Sequence, residues 1–224
     1  VRALLALLCA LLLTPAWGLA QGSVTGRVTI SERPGEQTTD LGNTVIYLAR
    51  QGAATARLAP ANTSIAMNQR SFVPRVRVVT PGSKVEFPNQ DPFSHNIFST
   101  TPGTSFDLGL YPSGRSRDAT FRRVGEFPVY CNIHPRMTAY VVVAPSPYYA
   151  MAGADGRYTI AGVPAGEYTL TVWHERAPKV EQRITVTATG LAVPDVALDA
   201  RGFRFVQHMN KHGREYDRNG RDRY

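Results

Sequence analysis

Between residues 22 and 200 no stretch of ten or more residues carries a convincing 3.6-residue apolar period, whereas short alternating or wholly apolar runs recur throughout. Val24, Val28 and Ile30 alternate with polar residues. The runs Thr44 to Ala49 (TVIYLA), Val76 to Val79 (VRVV), Lys84 to Phe87 (KVEF), Phe127 to Tyr130 (FPVY) and Tyr140 to Val143 (YVVV) read as strands. Pro81-Gly82, Pro102-Gly103, Asp155-Gly156 and Pro164-Ala165-Gly166 punctuate them as turns. Many short strands separated by Gly and Pro predict an all-β chain built from β-sandwiches.

The two ends differ from this pattern. Residues 1–20 combine one charge at Arg2, an apolar stretch from Ala3 to Leu13, Pro15, and small residues at Gly18 and Ala20. They are expected to be a secretory signal peptide cut before Gln21. The apolar stretch is short for a membrane span, which takes about 20 residues, and no later segment is apolar enough. Residues 200–224 form a basic tail, expected to be solvated or loosely docked, or to serve as an electrostatic handle. His208 and His212 are four apart, so a helix there would offer both to one metal.

Composition adds constraints. The 224 residues carry 25 Lys+Arg against 17 Asp+Glu, with 19% charged and 9% aromatic residues, which is the balance of a folded chain rather than a disordered one. The basic residues are scattered or terminal, which speaks against a nucleic-acid partner. Of the two cysteines, Cys9 lies in the expected leader, leaving Cys131 without a partner in an oxidising compartment.

The candidate chemistry gathers at His95 and at Cys131-Asn132-Ile133-His134-Pro135-Arg136-Met137. One thiolate, two imidazoles and a thioether form a soft mixed donor set that suits copper, with Cys131, His95 and His134 as strong ligands and Met137 as a weak axial one. Three of these on a C-x2-H-x2-M run require a tight loop, because strand side chains alternate between faces. His95, 36 residues earlier, is expected in a loop after the KVEF strand. His174 is expected to make a hydrogen bond at a strand end. Five histidines are too few for a multicopper oxidase cluster, and no GxSxG, HExxH or nucleotide-binding loop is present, so the chain is not read as an enzyme.

The segment from about Met67 to Val143, with TPGSKVEF at 80–87, His95-Asn96, Gly125-Glu126-Phe127 and CNIHPRM, resembles the cupredoxins, and its short ligand loop is most similar to that of the amicyanins. The chain also resembles periplasmic proteins described as methylamine utilization or plastocyanin-like. DGRYTI at 155–160 and VPAGEYTL at 163–170 resemble the carboxypeptidase regulatory-like sandwich.

These resemblances imply a signal peptide over 1–20, a first part of the regulatory-like sandwich over 21–58, a Greek-key cupredoxin domain over 59–145, a second part of the sandwich over 146–199 and the tail over 200–224. A sequential arrangement, with the early strands packed on the middle domain, is the alternative. They further imply one mononuclear type 1 (blue) copper bound by His95, Cys131, His134 and Met137. The Asn96 backbone amide would donate to the thiolate sulfur and tie the ligand loops together. Electrons would pass through the His134 edge, beside an apolar patch of Pro92, Phe93 and Pro135 with Arg136 near it. The implied partners are periplasmic redox donors and acceptors such as a cytochrome or a dehydrogenase. The chain departs from the family pattern at Thr138-Ala139, where Met-x-Gly is common, and at Ile133, where amicyanins have Pro. Ile133 therefore keeps an amide able to donate a second hydrogen bond to sulfur. Copper delivery or storage, and a metal-free binding module, are the competing functional readings.

Overall fold

The computed structural model describes residues 21–52 and 58–216; the expected leader lies outside the described residues, as does the end of the tail from 217. The strands run β1 Gln21–Ser31, β2 Val45–Arg50, β3 Thr63–Ser64, β4 Ala66–Asn68, β5 Ser71–Val73, β6 Val76–Val79, β7 Ser83–Pro88, β8 His95–Ser99 and β9 Phe106–Tyr111. They continue as β10 Ser116–Phe121, β11 Gly125–Cys131, β12 Thr138–Val143, β13 Tyr149–Met151, β14 Arg157–Pro164, β15 Gly166–His174, β16 Ala177–Val186, β17 Leu191–Ala192 and β18 Val196–Asp199. The one helical element among the described residues is a 3-10 turn at Leu41–Asn43, and no helix there is long and apolar enough to cross a membrane. The chain is all-β, as its alternation predicts.

Two sheets enclose the core of the middle region. One has the order β6-β12-β11-β8-β9 and the other β10-β7-β3. In β7 the period of two sends Val85 and Phe87 inward and Lys84 and Glu86 outward. They meet Phe121 from β10 and Phe127, Val129 and Cys131 from β11. A second pair of sheets, β14-β1-β17 with β18 on β1, and β13-β2-β15-β16, encloses another core that includes Val24, Ile46, Leu48, Tyr158, Ile160 and Leu170. Strands from the first thirty described residues thus pair with strands from the last third: β1 with β14, β17 and β18, and β2 with β13 and β15. The Asp155-Gly156 turn locks one such pairing. Gly156 has φ +79°, and a Cβ there would lie 2.0 Å from the Val28 carbonyl oxygen.

The continuous apolar run in β2 has a tertiary cause. Ile46 and Leu48 face the second core, whereas Val45 and Tyr47 face away from it and pack with Trp173, Val76, Val78, Val142 and Tyr140 on the outer face of the five-stranded sheet. A strand buried on both faces loses its polar alternation. The contact between the sandwiches is bounded by polar bonds: Tyr47 donates to Glu126 at 3.0 Å, and Arg75 donates to Glu175 at 2.6 Å and to the Thr138 carbonyl at 3.0 Å.

Another polar cluster closes the 32–43 segment onto the turn between β15 and β16. Arg176 donates to both oxygens of Glu32, at 2.8 and 2.9 Å, and to both of Asp40, at 2.6 and 2.8 Å. His174, fully buried, donates through Nε2 to the Asp40 carbonyl at 3.3 Å and accepts the Arg176 amide at Nδ1 at 3.2 Å. With both ring nitrogens engaged, it has the strand-end role expected for it.

Candidate metal centre

Strand register builds the site. In β11, Phe127, Val129 and Cys131 share the core face, so the alternation that fills the core also turns the Cys131 thiol inward, where it is fully buried. Cys131 pairs with Ile97 of β8, and His95, two residues before Ile97, lies on the same face as its diagonal neighbour. His95 therefore opens a strand instead of sitting in a loop. All five residues of β8 are buried, which erased the alternation that would have revealed the strand. The Asn132 amide donates to the Asn96 carbonyl at 2.8 Å and continues the ladder one step past Cys131.

Beyond Cys131 the chain makes one tight loop before β12. The Met137 amide donates to the His134 carbonyl at 2.9 Å, and the Cys131 amide donates to the Met137 carbonyl at 3.3 Å. The loop thus brings residues 131, 134 and 137 together, with the buried Met137 side chain in the same core cluster as Cys131.

His95 Nδ1 lies 3.4 Å and His134 Nδ1 3.6 Å from Cys131 Sγ. These three ligand atoms all lie within 4.8 Å of one another, and they form the one group of this kind among the described residues. Nitrogen and sulfur donors held at about 2.0 and about 2.3 Å by one first-row ion stand about 3.5–3.7 Å apart for angles between tetrahedral and trigonal. The donor set therefore fits a single transition ion in both chemistry and spacing.

Burial and neighbouring donors set the protonation of these groups. Burial pushes the Cys131 thiol up, while the backbone amides of Ile133, Asn96 and His134 donate to sulfur and favour the thiolate. Burial pushes His134 down to about 4, with the neighbouring His95 and Arg70 acting in the same direction. His95 is also lowered by burial, against the pull of Asp91. Both imidazoles are accordingly neutral near pH 7, the form that binds metal.

Sequence reasoning missed Asp91, whose Oδ2 lies 2.9 Å from His95 Nε2. A D-x3-H spacing was visible, but only the turn between β7 and β8 brings the two side chains face to face. The Phe93 ring lies 5.3 Å from that of His95 and 5.5 Å from that of His134, with the Arg70 guanidinium 5.1 Å above Phe93. Phe93, His134 and Pro135 are half-buried, and Pro92 and Arg136 are exposed.

The tail is docked across this end of the molecule as far as residue 216. It is not helical, so His208 and His212 do not form the i,i+4 pair expected from their spacing. His208 instead stacks on Tyr130 with ring centroids 4.4 Å apart, and His212 is exposed. The Lys211 amide donates to Asn132 Oδ1 at 2.9 Å, its ammonium pairs with Asp107 at 2.7 Å, and the Tyr216 hydroxyl donates to the Cys131 carbonyl at 3.2 Å. The apolar outer face of the five-stranded sheet is thus shared between the second sandwich and the tail. That continuity of contact could not be read from the tail's composition.

Burial lowers His95, His134, His174 and His208 alike. A histidine depressed below its unfolded value of 6.5 contributes stability that is present above that pH and lost as pH falls towards the folded value, because the unfolded chain then binds the extra protons. The metal-free protein is therefore expected to show a lower urea midpoint at about pH 5 than at about pH 7.5. Equal midpoints would contradict neutral burial of these rings.

Residues 146–192 match the sequence family described as Polysaccharide lyase family 4, domain II. No curated protein matches the chain. Similar solved structures include a purple cupredoxin from Nitrosopumilus maritimus, 21% identical, covering 37% of this chain and 99% of that one with a TM-score of 0.34. Another is an amicyanin from Paracoccus versutus, 17% identical, covering 43% of this chain and 96% of that one with a TM-score of 0.35.

Proposed function

We propose that this chain is a periplasmic type 1 copper protein that carries single electrons between redox partners. The observation that carries the reading is the convergence of His95 Nδ1 and His134 Nδ1 on Cys131 Sγ, at 3.4 and 3.6 Å, in a pocket where both His95 and Cys131 are fully buried. Met137, buried in the same core cluster as Cys131, would complete the set as a weak thioether donor. Copper held there supplies a one-electron couple without bond-making.

The remaining tasks fall to the chain. Cys131 and His95 are fixed by paired strands on one core face, so the donors are pre-positioned and the rigid scaffold limits rearrangement between oxidation states. The amides of Ile133, Asn96 and His134 stabilise charge on sulfur. His134, half-buried beside Phe93 and Pro135, is the ligand nearest to solvent and the natural port to a docking partner, with Arg136 exposed next to it to favour an acidic surface. A cytochrome or a dehydrogenase would suit either end of the transfer. Burial of the thiolate, His95 and Met137 opposes copper delivery, which needs ligands open to exchange. The second sandwich, read as carboxypeptidase regulatory-like from its DGRYTI and VPAGEYTL runs, would serve as support or as a partner-binding module.

Titration of the metal-free protein with cupric salt tests this reading. One equivalent should produce the intense visible absorption of a copper–thiolate bond, bleached by ascorbate and restored by oxidation with no loss of metal. A colourless protein, or one that surrenders copper rapidly to an apo acceptor, overturns it.

A further inference from the structure

We propose that Asp91 is a positioning residue for the metal centre: its buried carboxylate holds the proton of His95 on Nε2, aims Nδ1 at Cys131, and places a fixed negative charge behind that ligand. This inference rests on the copper reading for its redox consequence, but not for its effect on the imidazole.

Asp91 is 3% exposed and four residues before His95. Both of its oxygens are occupied by N–H groups. Oδ1 accepts the Gln69 amide at 2.6 Å, and Oδ2 accepts the Arg70 amide at 3.0 Å and lies 2.9 Å from His95 Nε2. An oxygen pair surrounded by three nitrogens acts as an acceptor, so Nε2 carries the ring proton and Nδ1 is left bare. Nδ1 is the atom that stands 3.4 Å from Cys131 Sγ.

The surroundings are built around this carboxylate. Gln69 and Arg70, at the tip of the β4–β5 hairpin, have φ of 53° and 55°, a left-handed conformation uncommon for residues with side chains. The two successive amides of this tight turn converge on the Asp91 carboxylate and cradle its charge. Asn89 holds the same turn from the other side: its Oδ1 accepts the Asp91 amide at 3.0 Å, and its Nδ2 donates to the Phe93 carbonyl at 2.8 Å and the Tyr111 carbonyl at 3.3 Å. A turn closed only for stability has no need of a buried charge, which is costly to desolvate. A charge directed at a metal-binding imidazole has a use, because it makes the ligand more basic and favours the higher oxidation state of the bound ion.

The test compares Asp91→Asn, which keeps the shape and one acceptor but removes the charge, with Asp91→Ala, which removes both. Nitrogen-15 shifts of His95 in the metal-free full chain should report the Nε2–H tautomer in the parent protein and a mixture in Asp91→Ala. An Nδ1–H tautomer in the parent overturns the proposal whatever the metal. With copper, Asp91→Ala should bind about 10–100-fold more weakly. Asp91→Asn should keep its colour and shift the ratio of Cu(I) to Cu(II) affinity about tenfold towards Cu(I), a rise of about 59 mV for a one-electron couple. An unchanged potential with an intact visible band reduces Asp91 to a turn-closing role. A parent protein that stays colourless in cupric salt removes the copper reading instead, and the tautomer result alone then decides the proposal.

Discussion

Cys131→Ser is expected to abolish the visible band proposed for the copper-loaded protein and to weaken copper binding by at least about 100-fold, the upper end of what loss of a residue that only orients a ligand costs. In the proposed copper site the thiolate is the softest donor and the one that brings charge to the ion, whereas a serine hydroxyl stays protonated near neutral pH. Because Cys131 is fully buried among Val129, Ile97 and Ala139, the near-isosteric change leaves the sheet register intact, and circular dichroism should be unaltered. The same variant separates the readings of function. A metal-free binding module keeps its activity without the thiol, and an electron carrier does not. Retention of colour in Cys131→Ser would move the metal away from the position argued above.

The second large effect is expected at the contact between the sandwiches. Trp173, 8% exposed, packs edge-on to Tyr140 with ring centroids 5.3 Å apart and shares a cluster with Val45, Tyr47, Val76, Val78 and Val142. Truncation of a buried Trp to Ala costs about 3–5 kcal/mol, and here the lost contact is the one that joins two otherwise separate cores. Trp173→Ala should lower the urea-derived stability by about that amount and separate the unfolding of the two sandwiches, visible as non-coincident transitions by copper colour and by far-UV signal. A loss below about 1 kcal/mol with coincident transitions would mean that Arg75–Glu175 and Tyr47–Glu126 carry the association instead.

Much of the architecture was legible because alternation reports directly on burial. Lys84 and Glu86 against Val85 and Phe87, or Arg157 and Thr159 against Tyr158 and Ile160, mark strands with one face in water. The pattern failed where both faces are covered. His95–Ser99 is buried throughout, so His95 looked like a loop residue, although the strand it opens is what aligns it with Cys131. The i,i+4 spacing of His208 and His212 suggested a helix that the tail does not form: a short isolated helix is marginal in water, and His208 stacks on Tyr130 instead.

By itself, the order of residues determined an all-β chain and the soft donors available in it, since side-chain chemistry and the period of two are local properties. Only the tertiary structure decided how the ends of the chain meet. It paired β1 with β14, laid the tail over Tyr130, and brought Asp91 to His95 and the Gln69–Arg70 hairpin to Asp91. Those contacts depend on strand register and on which faces are covered, and neither is encoded in any window of sequence short enough to read.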